Sequence, residues 1–407
     1  VDPAKIQALA AGRSPIFEPG LEEILDSASR SGRLRFSTNP AEAKGAQVHF
    51  IAVGTPQARN SGSADLTYVD AAIDGLLPHL SEGDLVVGKS TVPVGTAARL
   101  AEMVDAAGSG AHLAWNPEFL REGFAVKDTI APDRLVYGLP NGEAGVKAKQ
   151  LLDEVYASAL SHGTPLVETD YATAELVKVS ANAFLATKIS FINAMAEIAE
   201  VVDADVTALA DAIGYDSRIG RRFLNAGIGF GGGCLPKDIR AFTARAEELG
   251  RGESVAFLKE IDAINMRRRQ RMVDMVVESL GGQVYRKKVA VLGLAFKPDS
   301  DDVRDSPALD VAVQLNGLGA HVIATDPQAI PNSIRLHPQL GFATDTMDAL
   351  HGADVVVLVT EWKEYRELDP VQIGGLVAEK LIIDGRNVLD PATWRAAGWT
   401  YRGMGRP

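Results

Sequence analysis

The residue types best suited to chemistry gather in one run, Gly227-Ile228-Gly229-Phe230-Gly231-Gly232-Gly233-Cys234-Leu235-Pro236-Lys237-Asp238. Five glycines precede the only cysteine of the 407-residue chain. Glycine permits tight turns and close approach of backbone to a ligand. If Cys234 opens a helix, Asp238 shares its face one turn on, and a helix N-terminus favours the thiolate. A thiolate can add to an aldehyde to give a thiohemiacetal. Loss of hydride from that adduct leaves a thioester, which water hydrolyses. The competing role is that of a lone buried cysteine acting as a small hydrophobe.

Other groups could serve the same chemistry. Lys178 and Asn182 are four apart, so a helix puts them on one face. A lysine between Val177 and Val179 can be desolvated into a useful acid or base, and the amide can orient water or donate to an oxyanion. Both could equally be solvated surface groups. In Asn116-Pro117-Glu118-Phe119-Leu120-Arg121-Glu122, a carboxylate could activate water, or Glu118 and Glu122 could be first-turn helix acids. Thr91 offers a hydroxyl at a strand end, or an N-cap. Lys297 and Arg386 follow strands and suit an anionic phosphate. Asp299, Asp301, Asp302 and Asp305 read as a solvated loop with helix caps rather than a metal cluster, and the histidines show no ligand spacing. Arg218 and the Arg221-Arg222 pair either contact substrate or decorate the surface.

Elements that could position these groups are legible in the pattern. Val48–Val53, Leu85–Val87, His112–Trp115, Leu135–Tyr137 and Leu166–Val167 are short apolar runs with polar residues at their ends. Helix-length spacers separate them, as in a doubly wound parallel sheet, where ligands sit beyond the strands' carboxyl ends. From Thr173 to about Val202 there is no Pro or Gly, which predicts a helix of ~45 Å at ~1.5 Å per residue. Such a helix is suited to connecting domains and packing against a partner subunit. A second helical stretch runs from Val255 to about Leu280. Strand-helix alternation returns with Val289–Gly293, His321–Ala324, Val355–Val359 and Leu381–Ile383. Ser306-Pro307 looks like a helix start.

The bulk figures set limits. A 46% hydrophobic composition marks a folded globular protein. A net charge of -12 argues against nucleic acid or an acidic membrane as partner, although a local basic pocket could still hold an anion. One cysteine allows no intrachain disulfide, so a reducing, cytoplasmic setting is expected. No apolar run is long enough to span a bilayer.

These blocks resemble the UDP-glucose 6-dehydrogenase family, within the UDP-glucose/GDP-mannose dehydrogenases, from Val1 to about Asp390. The match rests on Val53-Gly54-Thr55-Pro56, Lys89-Ser90-Thr91-Val92-Pro93-Val94-Gly95-Thr96, Asn116 to Gly123, Glu175-Leu176-Val177-Lys178 with Asn182, the Cys234 run, and Phe296-Lys297-Pro298-Asp299. The resemblance implies an α/β chain of two Rossmann-like doubly wound domains, joined by a long central helix and a helical middle domain. The expected boundaries are 1–170 for NAD binding, 171–280 for the middle and dimer contact, and 281–407 for UDP-sugar binding. It implies oxidation of UDP-glucose with two NAD and water to UDP-glucuronate. Cys234 would be the nucleophile, Lys178 the proton-transfer and oxyanion group, and Asn182 the residue positioning oxygen. Asp238 would support Lys178, with Thr91 and Glu118 holding water. Lys5, Thr55, Pro56, Thr91, Glu122 and Arg304 would touch NAD. Phe119, Leu120, Asn225, Phe230, Gly231, Lys297 and Arg386 would contact the sugar nucleotide, and Arg218 would reach across a homodimer.

Two departures stand out. The family's glycine-rich strand-turn-helix, which receives a pyrophosphate at a helix N-terminus, is absent here. The family's ribose-reading acid falls just before Val1, although Asp2 could be taken for it. About 30 further residues at the start, one strand-helix-strand unit, are therefore expected in the natural protein, and the chain as written should bind NAD poorly. Gly233 also stands where many members carry serine. GDP-mannose and UDP-N-acetylmannosamine dehydrogenases are the sibling alternatives. An inactive nucleotide-sugar-binding fragment, or an alcohol dehydrogenase stopping at the aldehyde, are alternatives of other classes.

Overall fold

The computed structural model describes residues 2–59 and 61–407. Two compact units emerge, Val1–Asn182 with Lys237–Val255, and Ala183–Pro236 with Ala256–Pro407. Val1 lies outside the described residues. Asp2 is the N-cap of the Pro3–Ala10 helix, its Oδ1 accepting from the Ala4 N–H at 2.9 Å.

The first unit carries β1 (Val48–Ile51), β2 (Leu85–Gly88), β3 (His112–Trp115), β4 (Leu135–Gly138) and β5 (Leu166–Thr169), adjacent in chain order. Alternate residues point to opposite faces. Thus Val86 joins a cluster with Val69, Ile73, Leu100 and Val104, whereas Leu85 and Val87 join Ala148 and Leu152 on the other side. The sheet is not parallel throughout, because β3 and β4 pair antiparallel. A parallel return needs a crossover packed on the sheet. The only helix between these strands, Ala125–Ile130, buries no residue, so the chain turns back instead.

The Tyr171–Val202 helix is 32 residues long, close to expectation. The second predicted helical stretch, reached after the Val206–Gly214 and Leu235–Glu248 helices, starts later than expected, at Phe257, after a short 3-10 turn at Gly252–Val255. The second unit's sheet is built from β6 (Lys288–Leu292), β7 (His321–Thr325), β8 (Gly341–Phe342), β9 (Val355–Leu358), β10 (Leu381–Asp384) and β11 (Thr400–Gly403). Its order is β11-β10-β9-β6-β7-β8, and every pair is parallel. The strand order reverses at β6, which makes the sheet doubly wound and places a ligand crevice past the β6 and β9 ends. Ser306 caps the Pro307–Gly317 helix through Leu309 N–H. β8 and β11 were not apparent in the sequence, since two- and four-residue edge strands carry little periodic signal.

Candidate functional site

In the first unit, three strand-end loops and two helices build one wall. Asp238 lies in the first turn of the Leu235–Glu248 helix and is 2% exposed. Its Oδ2 accepts from Asn182 Nδ2 at 2.6 Å, and its Oδ1 accepts from Lys237 Nζ at 2.6 Å. Lys237 Nζ also stands 3.3 Å from Thr55 Oγ1. The Thr55 hydroxyl donates to the Thr91 carbonyl at 2.8 Å, which ties the β1 and β2 loops together. Thr91, Pro93, Val179, Lys237, Asp238 and Phe242 line a small cleft here. Thr91 caps no helix, because the next one begins at Thr96 behind Gly95.

That loop is held from two further directions. Glu175 accepts from the N–H groups of Gly95 and Ala97 at 2.8 and 2.7 Å, and Arg245 Nε donates to the Val94 carbonyl at 2.9 Å. Burial pushes the Glu175 carboxyl above its usual value, and the backbone donors and Arg245 work against the shift.

Glu118 is no helix acid. Its Oε1 accepts from the Phe119 and Leu120 N–H groups at 2.7 and 2.8 Å, and its Oε2 pairs with Lys89 Nζ at 3.1 Å. Lys89 also donates to Asn116 Oδ1 and Tyr156 Oη, each at 3.0 Å. The Phe119 ring receives Lys178 Nζ at 5.5 Å and the Arg134 guanidinium at 3.9 Å, distances at which the ring quadrupole attracts a cation. Glu122 belongs to the turn before the Ala125–Ile130 helix. That turn is anchored by Glu18, a buried carboxylate accepting from Gly123 and Ala125 N–H at 2.7 Å each. Pro56 and Lys5 are exposed, Lys5 on the first helix.

In the second unit the glycine run is a fastened loop ending at Cys234, which is exposed directly before the Leu235–Glu248 helix. Exposure rules out the buried-hydrophobe role. Asn265 grips Phe230 on both sides, its Oδ1 accepting from the Phe230 N–H at 2.7 Å and its Nδ2 donating to the Phe230 carbonyl at 2.9 Å. Arg268 Nε donates to the Gly227 carbonyl at 3.3 Å, and Asn193 Oδ1 accepts from the Gly227 N–H at 2.9 Å. Burial pushes the Arg268 guanidinium below its usual value, opposed by Glu200. At Gly231 a Cβ would fall 2.3 Å from the Asp305 carbonyl, so only glycine allows this approach.

Arg386 follows β10 as expected. Its Nη1 donates to the Gly229 carbonyl at 3.0 Å, its Nη2 to the Phe296 carbonyl at 3.2 Å and its Nε to the Val359 carbonyl at 2.9 Å. The residue thus ties the glycine loop to the ends of β6 and β9. Lys297 Nζ lies 5.3 Å from the Phe296 ring centre. Asn225 is exposed and accepts from Arg221. Arg218 pairs bidentately with Asp216 and its side chain is 87% exposed. Among the described residues, no group of three or more His, Cys, Asp or Glu could hold a metal ion, and no helix is long and apolar enough to cross a membrane.

Lys89, Lys237, Glu18, Asn193, Asn265 and Arg268 were not foreseen. Lys89 and Lys237 stood inside quoted blocks, whereas the others carry no local signal because their partners are 34 to 107 residues away.

Two Rossmann-like sheets, one in each unit, with an exposed cysteine closing a fastened glycine loop in the second, are the features of a nucleotide-sugar dehydrogenase architecture. The chain belongs to the UDP-glucose/GDP-mannose dehydrogenase family. Residues 1–160 match its NAD binding domain, 172–267 its central domain and 290–391 its UDP binding domain. It is 41% identical to a UDP-glucose 6-dehydrogenase of Bacillus subtilis strain 168, over 100% of this chain and 87% of the relative. Among solved structures, a UDP-glucose dehydrogenase from Pyrobaculum islandicum is 39% identical with a TM-score of 0.89, covering 100% of this chain and 91% of that one. A UDP-D-ManNAc dehydrogenase from Pyrococcus horikoshii is 26% identical with a TM-score of 0.84, covering 100% and 92%.

Proposed function

We propose that the chain oxidises UDP-glucose to UDP-glucuronate with NAD, through a thioester on Cys234. The observation that carries this reading is the sole cysteine, exposed at the head of a helix whose first turn holds the buried Asp238, itself bonded to Asn182 of the long helix. The higher identity to UDP-glucose than to UDP-D-ManNAc dehydrogenases supports the substrate.

The residues at the carboxyl ends of β1 and β2 fit a dinucleotide. A Cβ on Gly54 would meet nothing within 4 Å, so open space adjoins this backbone. Thr55, Pro56, Thr91 and Glu122 would hold NAD there, with Lys5 and Arg304. NAD, when bound, takes up one hydride from the sugar's C6 in each of two oxidations.

The remaining work falls to the chain. In the first oxidation the C6 hydroxyl gives its proton to a base, for which Lys178 and Glu118 are the candidates. The Cys234 sulfur then forms a bond to the aldehyde carbon, and the carbonyl oxygen becomes an alkoxide held by Lys178 and Asn182. The second oxidation leaves the thioester. Water directed by Glu118, Thr91 and Asp238 adds to it, the C–S bond breaks, and the thiol and a carboxylate are released. Phe119, Leu120, Asn225, Phe230, Gly231, Lys297 and Arg386 contact the sugar nucleotide. A homodimer, with Arg218 reaching the neighbouring site, accords with that residue's exposure and with exposed Phe184, Phe191 and Ile198, spaced by seven along the long helix. A cytoplasmic location accords with a reaction that needs a reduced thiol.

The test is a count of NADH formed per UDP-glucose consumed. Two, with no turnover by Cys234→Ser, support the reading. One would leave an alcohol dehydrogenase that stops at the aldehyde. Turnover of GDP-mannose or UDP-N-acetylmannosamine in place of UDP-glucose would reassign the substrate, and silence with all three would leave a binding protein.

A further inference from the structure

Gly233 directly precedes Cys234, and the space beside it is filled from the loop between β6 and the Pro307–Gly317 helix. A Cβ on Gly233 would lie 2.5 Å from Cζ of Arg304, and 2.6 and 2.7 Å from its Nη1 and Nη2. The same residue holds the loop a second way, since its carbonyl accepts from the Gly232 N–H at 2.9 Å. The Arg304 side chain is 66% exposed, so burial does not order it. Asp302 does, accepting at Oδ1 from the Arg304 backbone N–H and Nε, both at 2.9 Å, and at Oδ2 from Nη2 at 2.7 Å. On the other side of Gly232, Gly231 packs against the Asp305 carbonyl and Pro307. The three residues leading into the nucleophile therefore press on residues 304–307.

We propose that Arg304 is a positioning residue for Cys234: its guanidinium fills the space over Gly233 while its carbonyl holds Gly232, and together they fix the backbone that presents the thiol. This gives Arg304 a task separate from cofactor contact. The consequence for turnover rests on Cys234 being the nucleophile, but the positioning itself can be read on the thiol alone.

Cys234 is the only cysteine, so alkylation by iodoacetamide, followed by intact mass, reports its presentation without substrate or cofactor. Full-length Gly233→Ala, Arg304→Ala and the double variant are compared with the parent. Arg304→Ala changes the rate by about threefold or more, and so does Gly233→Ala, because a Cβ and the guanidinium cannot share one space. The double variant stays within about twofold of Arg304→Ala, because the three atoms nearest the Cβ all belong to the guanidinium that Arg304→Ala removes. Additive effects in the double variant, or an unchanged rate in Arg304→Ala, overturn the proposal. Should Gly233→Ala not fold, the Arg304→Ala rate decides alone. In turnover, Arg304→Ala lowers kcat with little change in the KM for UDP-glucose. A coupled alkylation response with unchanged kcat would support the positioning and count against Cys234 as nucleophile.

Discussion

Asn182 and Asp238, 56 residues apart in sequence, meet through a 2.6 Å bond between buried side chains. The second carboxylate oxygen takes Lys237, so one acid organises an amide and an ammonium. Removing the acid leaves the buried Asn182 amide and the partly buried Lys237 ammonium without it.

Asp238→Asn replaces one of the two acceptor oxygens with an NH2 donor, so Asn182 and Lys237 are left with a single acceptor between them and Lys237 loses its counter-charge. We expect kcat to fall by about 10²-fold or more, the scale of a lost acid–base arrangement. Steady-state NADH production checks this, with the thermal midpoint as a control for folding. Unchanged kcat would remove Asp238 from the mechanism.

Glu18 acts at a distance through the backbone. Its two oxygens take the Gly123 and Ala125 N–H groups, which set the turn carrying Glu122. Glu18→Ala leaves both donors without the carboxylate and should cost about 3–6 kcal/mol, as two hydrogen bonds to a charged group would. Urea unfolding measures the loss. A rise in the KM for NAD would accompany it if Glu122 contacts the cofactor.

Glu175 makes stability depend on pH. Burial raises its carboxyl above the ordinary 4.5, so the folded state binds the proton more tightly than the unfolded chain does. Its contribution is full below the unfolded value and is lost as pH rises through the higher folded value. Glu175→Gln removes this titration. The stability of the parent relative to the variant should thus decline as pH rises from about 4 to 7. Thermal midpoints of both proteins across that range provide the check, and a difference that grows with pH would reverse the assigned direction.

Asn265 satisfies both polar groups of the Phe230 backbone. Asn265→Leu keeps the side-chain size, leaves the Phe230 carbonyl to Arg269 Nη2 alone and leaves the buried Phe230 N–H without its acceptor, at about 1–3 kcal/mol for the unsatisfied group. A lower denaturation midpoint and a reduced kcat/KM for UDP-glucose are expected. Retention of both would show that the loop holds its shape without the amide.

Much was legible from local pattern. The five strands of the first sheet, four of the second and the long helix follow from apolar periodicity and from the absence of Pro and Gly between Thr173 and Val202. The antiparallel β3–β4 pair was not, because strand direction depends on whether the intervening chain packs on the sheet, and the Ala125–Ile130 helix does not. Nor was the fastening of Arg386, which sequence presents simply as a cation past a strand, onto three backbone carbonyls.

The sequence by itself determined which side chains could do the chemistry, since a lone cysteine behind five glycines, a Lys-x-x-x-Asn pair and their ordered blocks are properties of residue type and spacing. Only the tertiary structure decided what holds them. The partners of Asp238, Glu175, Phe230 and Gly233 come from segments tens of residues away. A hydrogen bond or a van der Waals contact acts over a few ångströms, and separation along the chain carries no record of which distant segment will supply it.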